Sequence, residues 1–259
     1  DLAERRKGII NLIRRQFMKL RPERFRKFKM QSFGDELDLD ALINAIVEMR
    51  SGSYLSDKVY IRRDKRVRDV AVLFLVDLSA STEQELNGVR FLDVEKESMT
   101  LMAEALDSLG DPFAIYGFSS EGRFRVDMLC LKKFSEPYGD SVRHRLGNLE
   151  PRTLTRLGTI IRHGIYVLDQ VTASNRIMII LTDGRPYDIE YGNLDYAMAD
   201  TGKAIKEARS RKIHPFIITS DKKGVEYLRQ ICAQTQSIVL PRAEVLSQVL
   251  PALYNRLSL

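Results

Sequence analysis

The sequence has no tryptophan, two cysteines and three histidines among 259 residues, and this scarcity removes several kinds of chemistry at once. Cys130 and Cys232 lie far apart in apolar surroundings with no CxxC pair, so neither a disulfide framework nor a thiolate metal site fits. A reducing compartment, and hence a cytoplasmic protein, is expected. His144, His163 and His214 fall in separate elements without ligand spacing, and no Ser-His-carboxylate order surrounds His163 in "IIRHGIYVL". His163 therefore reads as a hydrogen-bonded residue packed on a helix. The longest uncharged apolar runs, near 70–76 and 177–181, are strand-sized, so no membrane insertion is expected. Neither G-x-x-x-x-G-K-S/T nor GxGxxG occurs, so any ATP hydrolysis must come from a partner.

What is present begins with a biased charge distribution. Residues 1–69 hold 18 Lys and Arg against 11 Asp and Glu, whereas the remainder holds 23 against 24. The basic surplus sits in one end. It is concentrated in "RRQFMKLRPERFRKFK" and "YIRRDKRVRD", where it could meet an acidic partner or a nucleic acid. Phe25 and Phe28 interleave with these cations, but they fit the apolar side of an amphipathic helix equally well, and no reading motif accompanies them. No specific nucleic-acid binding is expected. The chain starts at Asp1 rather than Met, which reads as a piece of a longer parent.

Two regions emerge from the periodicity. Residues 1–69 read as a basic, mainly helical extension, with helical patterning over 2–30 broken at Pro22. A clearer helix covers 38–50, capped by Asp38 or Asp40 with Leu42, Ile43, Ile46, Val47 and Met49 as its stripe. From residue 70 to 259, buried-type strands such as "VAVLFLV" and "RIMIIL" alternate with helices such as 93–110, closed by Gly110. Met99, Leu101, Met102, Ala105 and Leu106 on that helix are core at helical spacing rather than a cofactor wall. Strands "FAIYGFSS" and "FRVDMLCL" form a hairpin turning at Glu121-Gly122. The expected fold is a three-layer α/β sandwich, Rossmann-like, with a mainly parallel sheet and one antiparallel edge strand.

Ligands in such a sheet sit beyond the carboxyl ends of the strands. Three segments end there: Asp77, Ser79 and Ser81 after the first strand, Thr155 in "EPRTLTRLG", and Asp183 in "TDGRP". Hard oxygen donors of this kind suit Mg²⁺, with Mn²⁺ or Ca²⁺ as alternatives. Two carboxylates at most balance such an ion, so an open position would still attract a Glu or Asp of a partner. Gly184 and Pro186 are expected to hold the turn that places Asp183, and Gly117 beside Phe118 to allow close packing. Arg156, Arg162 and Arg185 stand near the site in sequence and either steer an acidic partner or pair locally. Asp188 and Glu190 read as an ordinary charged loop.

The pattern Asp77-Leu-Ser79-Ala-Ser81, then Thr155, then Asp183 resembles the metal-ion-dependent adhesion site of the von Willebrand factor A domain. The longer stretches "RDVAVLFLVDLSAST", "LKKFSEPYGDSVRHRLGNLEPRTLTRLGTIIRHGIYVL" and "ILTDGRPYDIEYG" are similar to the C-terminal domain of the NorD/CbbO group. That resemblance implies a non-enzymatic, Mg²⁺-dependent adaptor of a MoxR-class AAA+ ATPase hexamer, whose adhesion site engages an acidic residue of a client. Within the group, "DIEYGNLDYAMADT" lacks a longer "YEGRYG" type of insertion, which favours the CbbO branch and Rubisco as client. The alternative is a NorD-type adaptor for activation of nitric oxide reductase. A different class, a metal-dependent hydrolase or phosphotransferase with Asp77 as nucleophile, lacks a second carboxylate at Ser79 and a Lys clamp. A scaffold whose serines only cap a loop is the third reading.

Overall fold

A computed structural model of the protein describes residues 25–51, 57–65, 69–83, 85–86, 89–184, 186–221, 224–232, 236–240 and 245–258. They fall into two compact units, one within 20–68 and the other from Asp69 onward.

In the first unit, strands β1 (Phe25–Gln31) and β2 (Glu36–Leu37) precede helix α1 (Leu39–Arg50) and strand β3 (Tyr60–Lys65). Both β1 and β2 pair antiparallel with β3. Residues 25–30, read above with the helical stretch, are thus strand, because pairing with β3 satisfies their backbone; the rest of that reading, before residue 25, lies outside the described residues. Asp38 is the cap of α1, accepting from the Ala41 N–H at 3.4 Å. Of α1's own residues only Ala45 is buried, and Ile43, Ile46, Val47 and Met49 stay exposed.

The second unit runs through β4 (Val70–Asp77), a 3₁₀ turn at Ala80–Glu83, the short hairpin β5 (Glu85–Leu86) and β6 (Val89–Arg90), and α2 (Phe91–Leu109). Strands β7 (Phe113–Ser120) and β8 (Val126–Lys132) follow, then α3 (Asp140–Gly147), α4 (Leu157–Asp169) and β9 (Asn175–Thr182). The chain continues through α5 (Leu194–Ser210), β10 (Ile213–Thr219), α6 (Gly224–Ile231), β11 (Ser237–Val239) and α7 (Leu246–Ser258). The sheet order is β11-β10-β9-β4-β7-β8, parallel throughout except for the antiparallel β8 edge. This is the expected three-layer α/β arrangement. Strands β7 and β8 are joined by residues 121–125, a longer loop than the tight turn expected at Glu121-Gly122, closed by the Glu121 N–H on the Arg125 carbonyl.

Every residue of β4 is buried, which requires cover on both faces of the sheet. Leu73 and Leu75 pack with Ile160, Ile161, Met178 and Ile180 in one cluster, and strand alternation turns Val72, Phe74 and Val76 to the other face. On α2, Met99, Met102, Ala105 and Leu106 are core as expected, Leu101 is only half-buried, and Gly110 ends the helix at φ 73°. The chain leaves β4 toward β7 on one side and later adds β9 on the other, so the topological switch lies beside the carboxyl end of β4. Gly117 on β7 makes room there. A Cβ at Gly117 would stand 2.6 Å from the buried Leu78 Cδ1, and Leu78 sits inside the Asp77–Ser81 turn.

Gly117→Ala is therefore expected to push Leu78 off its rotamer and to destabilise the domain by about 1–3 kcal/mol. A lowered midpoint in urea at unchanged slope checks this, and an unchanged midpoint contradicts it.

Candidate metal centre

The carboxylate of Asp77 ends the central strand and is wholly buried. It survives there by accepting hydrogen bonds: from the Ser79 N–H at 2.8 Å to Oδ1, from the Thr182 hydroxyl at 2.7 Å to Oδ2, and from the Thr155 hydroxyl at 3.1 Å to both oxygens. The hydroxyls then continue outward. Ser79 and Ser81 share a 3.0 Å hydrogen bond between their Oγ atoms, and Ser81 donates to Asp183 Oδ1 at 2.8 Å. All five residues expected at the site are thus joined in one hydrogen-bonded constellation. Backbone stitching fixes the loops that bring them together: Leu78 N–H donates to the Phe118 carbonyl, Ala80 N–H to Thr153, and Ser120 and Leu154 exchange two bonds.

The electrostatics are those of crowded negative charge. Burial pushes the Asp77 carboxyl up, against the lowering effect of the Thr182, Ser79 and Thr155 hydrogen bonds. Asp183 is pushed up to about 7, first by burial and then by the Asp77 charge. Among the described residues, no group of three or more His, Cys, Asp or Glu is placed to hold a metal ion. The donor set is instead two carboxylates and three hydroxyls, all hard oxygens, which fits a divalent cation such as Mg²⁺ and relieves the charge that burial concentrates.

Thr182 was not among the expected residues, although it stands beside Asp183 in "LTDG" and its hydroxyl makes the shortest bond to Asp77. The Asp188 loop was also undervalued. Its carboxylate is buried, accepts from the Ser120 hydroxyl at 2.7 Å and the Gly122 N–H at 3.1 Å, and pairs with Arg156 at 3.2 Å. Its pKa is lowered: burial opposes ionisation, and the Ser120 and Arg156 hydrogen bonds outweigh it. Arg156 is itself buried, with its guanidinium 4.2 Å from the centre of the Tyr191 ring. It holds a loop rather than steering a partner. Arg162 likewise pairs with Asp200 and Glu207, at 2.8 and 2.7 Å, and Arg185 lies outside the described residues.

Gly184 keeps an ordinary backbone with open space where a Cβ would point, so its role in the turn is not conformational. The turn is held instead by the Tyr227 hydroxyl, which donates to the Gly184 carbonyl at 3.0 Å. Pro186 is buried in the wall of a cavity of about 660 Å³ that opens beside Ser79, Ser81 and Thr155. His163 is exposed and lies near Tyr116 and Tyr166, His144 meets Asn148, and His214 is exposed on β10. Among the described residues, none of the three is joined to the centre by a hydrogen bond or a ring contact.

An open parallel sheet with hydroxyls and carboxylates gathered at its switch point is the architecture of von Willebrand A-type binding domains. The chain matches the von Willebrand factor type A domain over residues 71–249 and belongs to that family, whose domains are protein-interaction modules rather than enzymes. It is 39% identical over 217 residues to protein NorD of Stutzerimonas stutzeri, covering 83% of this chain and 35% of that protein. It is 31% identical over 258 residues to protein NorD of Brucella melitensis, covering 100% of this chain and 41% of the relative. An uncharacterized protein of Pseudomonas aeruginosa is 41% identical over 246 residues, which is 95% of this chain and 40% of that one. The chain thus spans about two fifths of the length of the curated relatives it matches. In fold it is similar to the PilB minor pilin of Streptococcus sanguinis (TM-score 0.59, 14% identity, 76% of this chain and 64% of that one). The SpaC pilus adhesin of Lactobacillus rhamnosus GG is a comparable match in fold (TM-score 0.58, 17% identity, 75% and 31%).

These relatives correct the choice of branch. The similarity is to NorD proteins, so the CbbO and Rubisco reading does not hold. It rested on the length of "DIEYGNLDYAMADT", which begins as a 3₁₀ turn at Ile189–Tyr191 with Ile189 exposed and Tyr191 buried, passes Gly192 at φ 73° and enters α5 at Leu194. Surface loops of this kind absorb insertions without altering the fold, so their length carries little about function. Among the described residues no helix is long and apolar enough to cross a membrane.

Because Asp183 binds its proton more tightly folded, at about 7, than at its ordinary 3.8, ionising it opposes folding. In chelator, the melting temperature is expected to fall as pH rises from about 4 through 7 and then to level, whereas Asp183→Asn flattens that window. A cation-free profile that rises over the same window contradicts the charge crowding.

Proposed function

We propose that this chain is the cation-dependent binding end of a NorD-type adaptor. The observation that carries this reading is the unbroken run of hydrogen bonds from Asp77 through Ser79 and Ser81 to Asp183, with Thr155 on the Asp77 carboxylate. Asp77, Ser79, Ser81, Thr155 and Asp183 would hold Mg²⁺, which supplies when bound an open position for a carboxylate of a partner. The buried Asp77 and its hydroxyl donors fix the geometry in advance, so little ordering is needed on binding. Exposed Tyr187 and Ile189, 63% and 71% accessible beside the cavity, give the partner an apolar contact next to its acidic residue. Charge sets the orientation and the apolar rim supplies area.

In this reading residues 70–259 form the binding domain and 1–69 a basic extension. A MoxR-class AAA+ ATPase does the mechanical work, and the client is the nitric oxide reductase complex. Among the described residues no base stands beside Asp77 and no cationic clamp for a phosphate faces it, which supports recognition rather than turnover as the chemistry of the site. Free Cys130 and Cys232 support a reducing, cytoplasmic setting.

The test is capture of a purified MoxR-class ATPase and of solubilised nitric oxide reductase on the immobilised protein, with Mg²⁺ or with chelator, beside Asp77→Ala. Chelation and mutation are each expected to weaken client capture by at least about tenfold, since a desolvated charge contact is lost. Undiminished capture by a folded Asp77→Ala protein contradicts the reading.

A further inference from the structure

The cavity beside the oxygen cluster has two unlike ends. One is bordered by Ser79, Ser81 and Thr155. Away from them the wall is built by Leu154, Pro186, Ile189, Tyr191, Leu194 and Ala197. The polar side chains of that wall are bonded within the fold. Asp188 receives Ser120, Gly122 and Arg156, the Tyr191 hydroxyl donates to Asp200 at 3.0 Å, and the Thr153 hydroxyl donates to the Ser120 carbonyl at 2.6 Å. Asn193 turns its side-chain oxygen to the Tyr196 N–H and so caps α5. A ligand entering this space therefore meets the hydroxyl cluster at one end and apolar surface over most of the rest.

Size and surroundings narrow the ligand further. At about 660 Å³ the cavity falls in the range of pockets that enclose a ligand, roughly 300–1,000 Å³, and has room for a side chain and the backbone that carries it. Tyr187 and Ile189 stand exposed in its lining. Phe124, 83% exposed, lies on the 121–125 loop, which the Arg123 N–H ties to the Glu190 carboxylate next to Ile189. A small acid or a free chain end would leave this apolar rim uncovered, whereas a segment running through the mouth covers it.

We propose that the cavity is a side-chain pocket and that the partner is read by two neighbouring residues. One is an Asp or Glu whose carboxylate meets the cation; the other, no more than two residues away, is a Leu, Ile, Met or Phe whose side chain fills the apolar end. This rests on the reading of Asp77, Ser79, Ser81, Thr155 and Asp183 as cation ligands. The two contacts do different work. Attraction to a cation is common to every acidic surface, so it orients the partner without selecting it, while burial of an apolar side chain in a preformed pocket discriminates among acidic segments.

The test is selection of short random peptides displayed on phage by the immobilised whole chain in Mg²⁺, with elution by chelator. Enriched sequences are then titrated as labelled, end-capped peptides by fluorescence anisotropy. They are expected to pair Asp or Glu with Leu, Ile, Met or Phe at most two residues away. Changing that apolar residue of the peptide to Ala is expected to weaken binding to the wild-type protein about 10–100-fold, the effect of losing one buried side chain. Leu194→Trp, which fills the pocket, is expected to weaken the same peptides about tenfold, and the peptide substitutions decide the matter should that variant not fold. If chelator elutes acidic peptides with no apolar preference, or the Ala peptides bind within about twofold of their parents, this inference falls and the cation site stands. If the captured peptides lack an acid and resist chelator, or none is captured, both fall together.

Discussion

Everything at the functional end of this domain follows from placing the Asp77 carboxylate at the end of a strand that is buried along its whole length. An ionised group in that position is unstable unless donors surround it. The fold provides them from three separate segments: the Ser79 amide just beyond β4, Thr155 before α4, and Thr182 at the end of β9. These contacts stabilise the acid and at the same time lock the three loops to one another. The site and the local stability of the sheet edge are therefore one arrangement, and a change at Asp77 acts on both.

The second layer of organisation keeps the loops where that acid needs them. Asp188 receives Ser120, Gly122 and Arg156, and Arg156 in turn rests on Tyr191, so the segment after β9 is tied to the end of β7 and to the Thr155 loop. Such a pair is costly to bury, and although Arg156 Nε finds no hydrogen-bond partner among the described residues, the bonds to Asp188 hold the loops in one arrangement. It leaves the apolar tips Tyr187 and Ile189 pointing outward beside the serines. A rigid oxygen cluster bordered by exposed apolar residues is a surface for recognition, in keeping with a family of interaction domains.

Much of this was legible from residues alone. Continuous apolar strands separated by helices with capped ends lead directly to a covered parallel sheet, and the strand-end positions of Asp77 and Asp183 follow from that topology. The spacing of Ser79 and Ser81 was informative because a strand end offers few other reasons for alternating hydroxyls. What could not be read were interactions that depend on depth. Asp188 looks like a loop acid until Ser120 and Arg156 are folded against it, and Glu95 looks like an exposed helix charge within "DVEKES" until its face is seen to turn inward. At residues 25–30 the amphipathic pattern fitted a helix, and pairing with β3 overrode it. The branch assignment failed for a different reason, since it relied on the length of one surface loop instead of similarity along the chain.

The central claim is that the oxygen cluster at the end of β4 holds a divalent cation. Crystals of the protein grown with Mn²⁺ and measured for anomalous scattering test it most directly. The account predicts one strong anomalous peak within coordination distance of the Ser79 and Ser81 hydroxyls, on the Asp77 and Asp183 side of the cavity. At saturating Mn²⁺, a cluster with its internal hydrogen bonds intact and no peak beside it would contradict the account.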